Sequence, residues 1–273
     1  MIVIVTDSSA TLTREDAEQL GAVLVPMSYS VAGRSLSLES YSGENGEFEP
    51  LIARDPAQNR TSQATLSAFL STFEQIVSEG NQVLCLTISS RLSGTYGNAL
   101  MAAREVGQGC VEVVDSRIAG GGIYLLAREA RRMIDAGMGL TETALALRRL
   151  REKVGNVFSV DDMAPLRRSG RLGLVRMGVS TMLNIRPMLT CSDGAVVSFG
   201  VVRGRVEQRR ALLKRLPERA KLIVIQHLGA DARAAELAEE LRGRGEVIVC
   251  SFGPVLGIHL GEGAIGIAWI EEK

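Results

Sequence analysis

The chain has 273 residues, 46% of them apolar, with 31 Lys+Arg against 31 Asp+Glu. That length exceeds the usual single α/β domain, so two cores are expected, and the balanced charge provides no global field to steer the molecule to nucleic acid or to an anionic membrane. The longest apolar runs, residues 2–5 and 222–225, fall far short of the roughly 20 residues a membrane span takes, and Asp7 breaks any signal-like start, so the expectation is a cytoplasmic protein with no integral membrane segment.

In chain order, the β-branched runs 2–5, 23–25, 83–88 and 111–114 are each too short for a helix and read as strands. Apolar residues at steps of three and four mark two helices between and after them: Leu66, Phe69, Leu70, Phe73, Ile76 and Val77, then Leu140, Ala144, Leu147, Leu150 and Val154. Strand–helix alternation of this kind implies a parallel sheet covered on both faces. Residues 42–56 are polar, hold Gly and Pro, and read as a surface loop.

From Gly155 the pattern changes. Residues 157–160 resemble a strand, 174–185 an apolar helix, and 188–190 with 195–199 a hairpin around Ser192-Asp193-Gly194. A helix over 206–216, a strand over 222–226, a helix over 232–242 and strands over 247–250 and 264–270 follow. The expected fold class is α/β, a parallel-sheet domain over residues 1–154 followed by a second, smaller α/β (α+β) domain over 155–273. Cys85, Cys110, Cys191 and Cys250 are scattered without close pairing and read as reduced thiols of the core.

Ligands of open parallel sheets gather beyond the carboxyl ends of the strands, where helices begin and backbone N–H groups are free. Hydroxyls recur at those positions: Thr6-Asp7-Ser8-Ser9 after the first strand, residues 89–95 after the third and Asp115-Ser116 after the fourth, while Thr61-Ser62-Gln63 opens the 66–77 helix. Each cluster alone is explained as a cap or turn. Together they would surround a small anion with neutral donors, and Ser93-Gly94-Thr95 suits this because glycine admits a close backbone approach. A carboxylate held in this way needs neither metal nor cofactor.

Enzyme motifs are scarce. The phosphate-binding P-loop, the nucleophile-elbow and the zinc-protease patterns are missing, and the G-x-G-x-x-G at residues 261–266 leads into an apolar β-like stretch rather than a helix. Of the two histidines, His259 in the 257–263 loop is the stronger functional candidate, and a hydrolase or phosphotransferase using Ser93 or Asp7 with His259 is the alternative to a binding protein. Met163, Met177, Met182 and Met188, with Leu183 and Ile185, suit either core packing or a slot for acyl chains of varied shape. Residues 151–215 carry 13 Lys+Arg against five Asp+Glu. That surface fits a solvated face, a phosphate-bearing ligand or an acidic partner better than nucleic acid, because no aromatics interleave with the arginines. Arg203 and Arg205, after the hairpin, are the candidate docking residues.

The motifs Thr6-Asp7-Ser8-Ser9, Thr61-Ser62-Gln63, the run from Ile88 through Ser93-Gly94-Thr95-Tyr96, Asp115-Ser116, Arg186-Pro187-Met188-Leu189 and Gly257-Ile258-His259 resemble the DegV family over essentially the whole chain. The resemblance implies a Rossmann-like first domain, a smaller second domain and a long-chain fatty acid enclosed between them. It also implies that Thr61 and Ser93 meet the carboxylate, with Ser62, Gly94, Thr95 and His259 around it. The carrier would have no kinase activity of its own, a separate ATP-binding fatty acid kinase subunit making the acyl phosphate. Departures from the family pattern are Ala64 after Thr-Ser-Gln, Ser169 in Ser169-Gly170-Arg171-Leu172, and Glu262 after the histidine.

Overall fold

The computed structural model describes residues 1–107, 109–171 and 184–271. The first half runs β1 (Ile2–Asp7), α1 (Arg14–Leu20), β2 (Ala22–Val25), β3 (Ser28–Ser30), β4 (Ser37–Leu38), α2 (Glu49–Arg54), β5 (Arg60–Ser62), α3 (Leu66–Ser78), β6 (Gln82–Thr87), α4 (Thr95–Val106), β7 (Val111–Asp115), α5 (Gly121–Asp135) and α6 (Leu140–Leu150). The second half runs β8 (Val154–Ser159), α7 (Ala164–Ser169), β9 (Ile185–Ser192), β10 (Ala195–Arg203), α8 (Gly204–Arg215), β11 (Ala220–His227), α9 (Asp231–Leu241), β12 (Glu246–Ser251), α10 (Gly253–Leu260) and β13 (Ile265–Glu271).

Strands β2-β1-β6-β7, in that order, form a wholly parallel sheet with Val5 opposite both Val23 and Cys85. Ile4, Val5, Leu84, Cys85 and Leu86 are sealed from solvent, which is why these strands read as unbroken apolar runs rather than alternating ones. Helix α3 turns Phe69, Phe73 and Ile76 onto this core, and Thr65 caps it by accepting the Ala68 N–H at 3.2 Å.

The second half builds a six-stranded sheet, β10-β9-β8-β13-β11-β12, in which only β11 and β12 run parallel. Its strand count exceeds that of the first sheet. Helix α5, buried along residues 121–127, packs against strands of both sheets, so a single apolar core runs from Ile4 to Ile270. Strand β8 begins at Val154, one residue before the division read from the sequence. At the hairpin tip Ser89 Oγ donates to the Gly194 carbonyl at 2.7 Å, and Arg91 and Arg117 each pair with Asp193 at 3.2 Å, fastening the second half to the loops after β6 and β7.

Four details differ from the sequence reading. Val154 opens β8 instead of closing the preceding helix, which ends at Leu150. Residues 28–62 form a small antiparallel sheet, β4-β3-β5, and α2 lies inside the supposed loop. The supposed loop around His259 is mostly helix, since α10 spans Gly253–Leu260. The apolar helix expected over 174–185 falls almost wholly outside the described residues, and Ile185 begins β9.

Candidate binding cavity

Beyond the carboxyl ends of β6 and β7 lies a cavity of about 360 Å³, within the range of small-molecule sites. Its polar wall comes from Thr61, Ser62 and Gln63, from Ser93 and Gly94, and from His259. The apolar wall is drawn from the first half (Ile88, Leu92), from α10 (Val255, Leu256, Leu260) and from the six-stranded sheet (Phe158, Val196, Ala268). The lining thus brings the two halves together on one space.

Antiparallel pairing of β5 with β3, Thr61 opposite Tyr29, holds Thr61 where α10 passes. Thr61 Oγ1 lies 2.9 Å from His259 Nε2. The His259 side chain is half-buried with its Nδ1 sealed from solvent, and desolvation first, the nearby Arg171 guanidinium second, pushes its pKa down from 6.5 to about 4, so it is neutral at pH 7. Its Nδ1 has no partner among the described residues. Ser93 Oγ lies 2.9 Å from Thr95 Oγ1 and accepts the Thr95 N–H at 3.3 Å. A Cβ at Gly94 would stand 2.1 Å from Gln63 Oε1, so glycine here leaves the Gln63 side chain room to lie against the 93–95 turn. The result is a set of hydroxyls, an amide and a neutral imidazole on one side of an apolar space, chemistry suited to a carboxylate head on an apolar body.

On the other side of the Thr61–His259 pair lies a polar basin of about 430 Å³, lined by Arg60, Arg168 and Arg171 with Asn59 and Ser169 and, among the described residues, by no carboxylate. The two cavities share Thr61, Arg171 and His259.

Of the six expected head-group residues, five line the cavity and Thr95 does not. As the first residue of α4 it is fully buried, and it supports Ser93 from behind. The expected acyl-lining set fares differently. Met163 is packed in the main core, Met188 sits in a second apolar cluster with Leu212 and Leu216, and half-buried Ile185 opens β9; none of the three lines the cavity. Side chains alternate across a strand, so Met188 and its neighbour Leu189 serve different cores. Met177, Met182 and Leu183 lie outside the described residues. Arg203 is exposed at the end of β10, while Arg205 makes a forked pair with Asp161 at 2.6 and 3.1 Å; neither lines the cavity. Glu262 is exposed and lines neither cavity.

Sequence reasoning left out Gln63, Arg171 and the aliphatic residues of α10. Strand and helix periodicity marks a residue as inward-facing but does not separate a core position from a cavity wall. Asp7 is engaged elsewhere: its Oδ1 accepts from the Ser9 N–H and hydroxyl and its Oδ2 from the Ile88 N–H at 2.7 Å, a knot joining β1 to β6. Burial raises its pKa. His259 is bonded to Thr61 rather than to Ser93 or Asp7, so the nucleophile–base pairing of the hydrolase alternative is not formed. Among the described residues no helix is long and apolar enough to cross a membrane, and no cluster of three His, Cys, Asp or Glu side chains is arranged to hold a metal.

The family model described as "Uncharacterised protein, DegV family" matches residues 1–272. A DegV domain-containing protein of Halalkalibacterium halodurans is 33% identical over 100% of this chain and 99% of its own length. A protein of Thermotoga maritima named a fatty acid-binding protein is 33% identical over 96% of this chain and 95% of its own. Among solved structures, a DegV family protein of Thermus thermophilus, reported for its fatty acid binding, superposes with a TM-score of 0.87 at 28% identity, covering 99% of each chain. The chain belongs to the DegV family.

Proposed function

We propose that this chain is a fatty-acid carrier, with residues 1–154 and 155–273 as the two units that enclose the ligand. The carrying observation is the apolar cavity closed on one side by Thr61, His259 and Ser93. Burial of an acyl tail contributes about 0.8 kcal/mol per CH₂, and hydroxyl donors to the carboxylate fix its end of the slot. The names of the Thermotoga and Thermus relatives support the same ligand class.

The finer reading is that the carrier, acting in the cytoplasm, presents the carboxylate to a separate ATP-binding kinase subunit. A carboxylate oxygen attacks the terminal phosphorus of ATP, the bond to the ADP oxygen breaks, and an acyl phosphate and ADP result. The carboxylate-free basin of Arg60, Arg168 and Arg171 beside the head group suits the incoming phosphoryl charge, for which guanidinium is the better partner. The test combines the protein, oleate, ATP and a bacterial fatty acid kinase subunit. Acyl phosphate is expected only when both proteins are present. Turnover of ATP or of acyl phosphate by this protein alone would return the reading to a hydrolase or phosphotransferase.

A further inference from the structure

Glu39 follows β4 and is 2% exposed. Its Oε2 accepts from Ser8 Oγ at 2.6 Å and its Oε1 from the Val255 N–H at 3.0 Å. Its own N–H donates to the Met27 carbonyl at 2.8 Å, and Ser8 Oγ accepts the Met27 N–H at 3.0 Å. Three separate segments therefore meet at this residue, the turn after β1 and the first turn of α10 at its side chain and the chain entering β3 at its backbone. Gly253 makes the approach possible, having φ +73° and a position where a Cβ would stand 2.6 Å from Oε1.

Helix α10 is a poor helix on its own account. Its eight residues, Gly-Pro-Val-Leu-Gly-Ile-His-Leu, include two glycines, a proline and two β-branched residues, so packing and end contacts hold it rather than propensity. Yet it bears His259, four residues beyond the Val255 N–H that Glu39 accepts, and Val255, Leu256 and Leu260 are cavity wall. A buried carboxylate is an expensive way to fill space, and its geometry here is spent on the start of this helix.

We propose that Glu39 is a positioning residue for the head-group site, fixing the first turn of α10 and through it the place where the His259 imidazole meets Thr61. The lipid readout of this inference rests on the carrier reading; the spectroscopic readout does not. Two variants separate reach from charge. Glu39→Asp keeps the charge and shortens the reach, while Glu39→Gln keeps the reach and removes the charge. The chain has two histidines, so its imidazole nuclear magnetic resonance signals are assigned by comparison with His227→Gln. In ligand-free protein the His259 signal is expected to shift in Glu39→Asp and to stay at the parent position in Glu39→Gln. Oleate affinity is expected to fall at least about tenfold in the first and to hold within about twofold in the second, the scale of one unsatisfied buried donor. Where Glu39→Asp does not fold, Ser8→Ala, which removes the Oε2 partner together with the acceptor of the Met27 N–H and leaves the Glu39 side chain intact, gives the same readout. An unmoved His259 signal in the shortened variant, or an equal disturbance in both variants, would overturn the positioning role. Failure of the parent to bind oleate would instead strike the carrier reading and leave the resonance result to decide on Glu39.

Discussion

Replacing Thr61 with valine keeps the side-chain shape and deletes the hydroxyl. In the ligand-free protein that hydroxyl is the partner of His259 Nε2 at 2.9 Å, and the imidazole Nδ1 has none among the described residues, so the variant leaves both ring nitrogens of His259 unsatisfied. A buried polar group stripped of its partner costs about 1–3 kcal/mol, and a lost donor to a bound carboxylate costs about as much again. Thr61→Val should therefore lose about 1–3 kcal/mol in denaturant unfolding of the delipidated protein and weaken oleate about 5- to 150-fold, read by calorimetry or by displacement of a fluorescent fatty acid. Unchanged oleate affinity would place the head group away from Thr61 and refute the site. A binding loss without a stability loss would show that the imidazole finds another partner when the hydroxyl is gone.

The buried ionisable groups give opposite pH signatures. Burial, with a smaller push from Asp7, raises Glu39 from 4.5 to about 7, and Tyr29 on β3 feels its charge in turn. The folded state thus holds this proton more tightly than the unfolded chain. The resulting stability, about 3 kcal/mol, is full below the unfolded value and is lost as pH rises through about 7. Glu39→Gln should flatten that part of the slope between about pH 4.5 and pH 7 in denaturant titrations, and an unchanged slope would contradict it. His259, lowered to about 4, contributes stability present above 6.5 and lost as pH falls through about 4, so His259→Gln should improve relative acid tolerance. Gly94→Ala meets the flexible end of Gln63 at 2.1 Å and is expected to cost little stability while displacing Gln63 and weakening oleate several-fold; parent-like affinity would show that Gln63 can yield without touching the ligand. Arg203→Glu should keep lipid binding and slow acyl-phosphate formation with a kinase subunit, less so in added salt, whereas full turnover would refute docking at Arg203. Arg205 is the poorer probe, because a glutamate there would face Asp161.

The parallel sheet was legible because strands buried on both faces must be continuously apolar, and residues 2–5 and 83–86 are. That Thr61, Ser93 and Gly94 line one cavity was legible because they sit where strands give way to helices, which is where donors gather. What escaped did so for a common reason. Helix α10 carries residues that favour loops and strands, and its helical state comes from burial among α2, α7 and β5. Glu39 sits in a polar stretch with no periodicity, and only the folded chain brings it to Ser8 and Val255. The methionines were chosen for softness, yet Met163 and Met188 fill ordinary core space while Leu, Val and Phe from α10 and the six-stranded sheet form the wall. Arg205 was expected to reach outward, and a forked pair with Asp161 holds it instead.

Mass spectrometry under native conditions, followed by denaturing extraction of protein purified from bacteria, tests the carrier directly. The account predicts about one fatty acid per chain, released only when the protein unfolds, since burial of each CH₂ contributes about 0.8 kcal/mol to retention. Protein that carries no stoichiometric lipid and takes up neither oleate nor palmitate would contradict it.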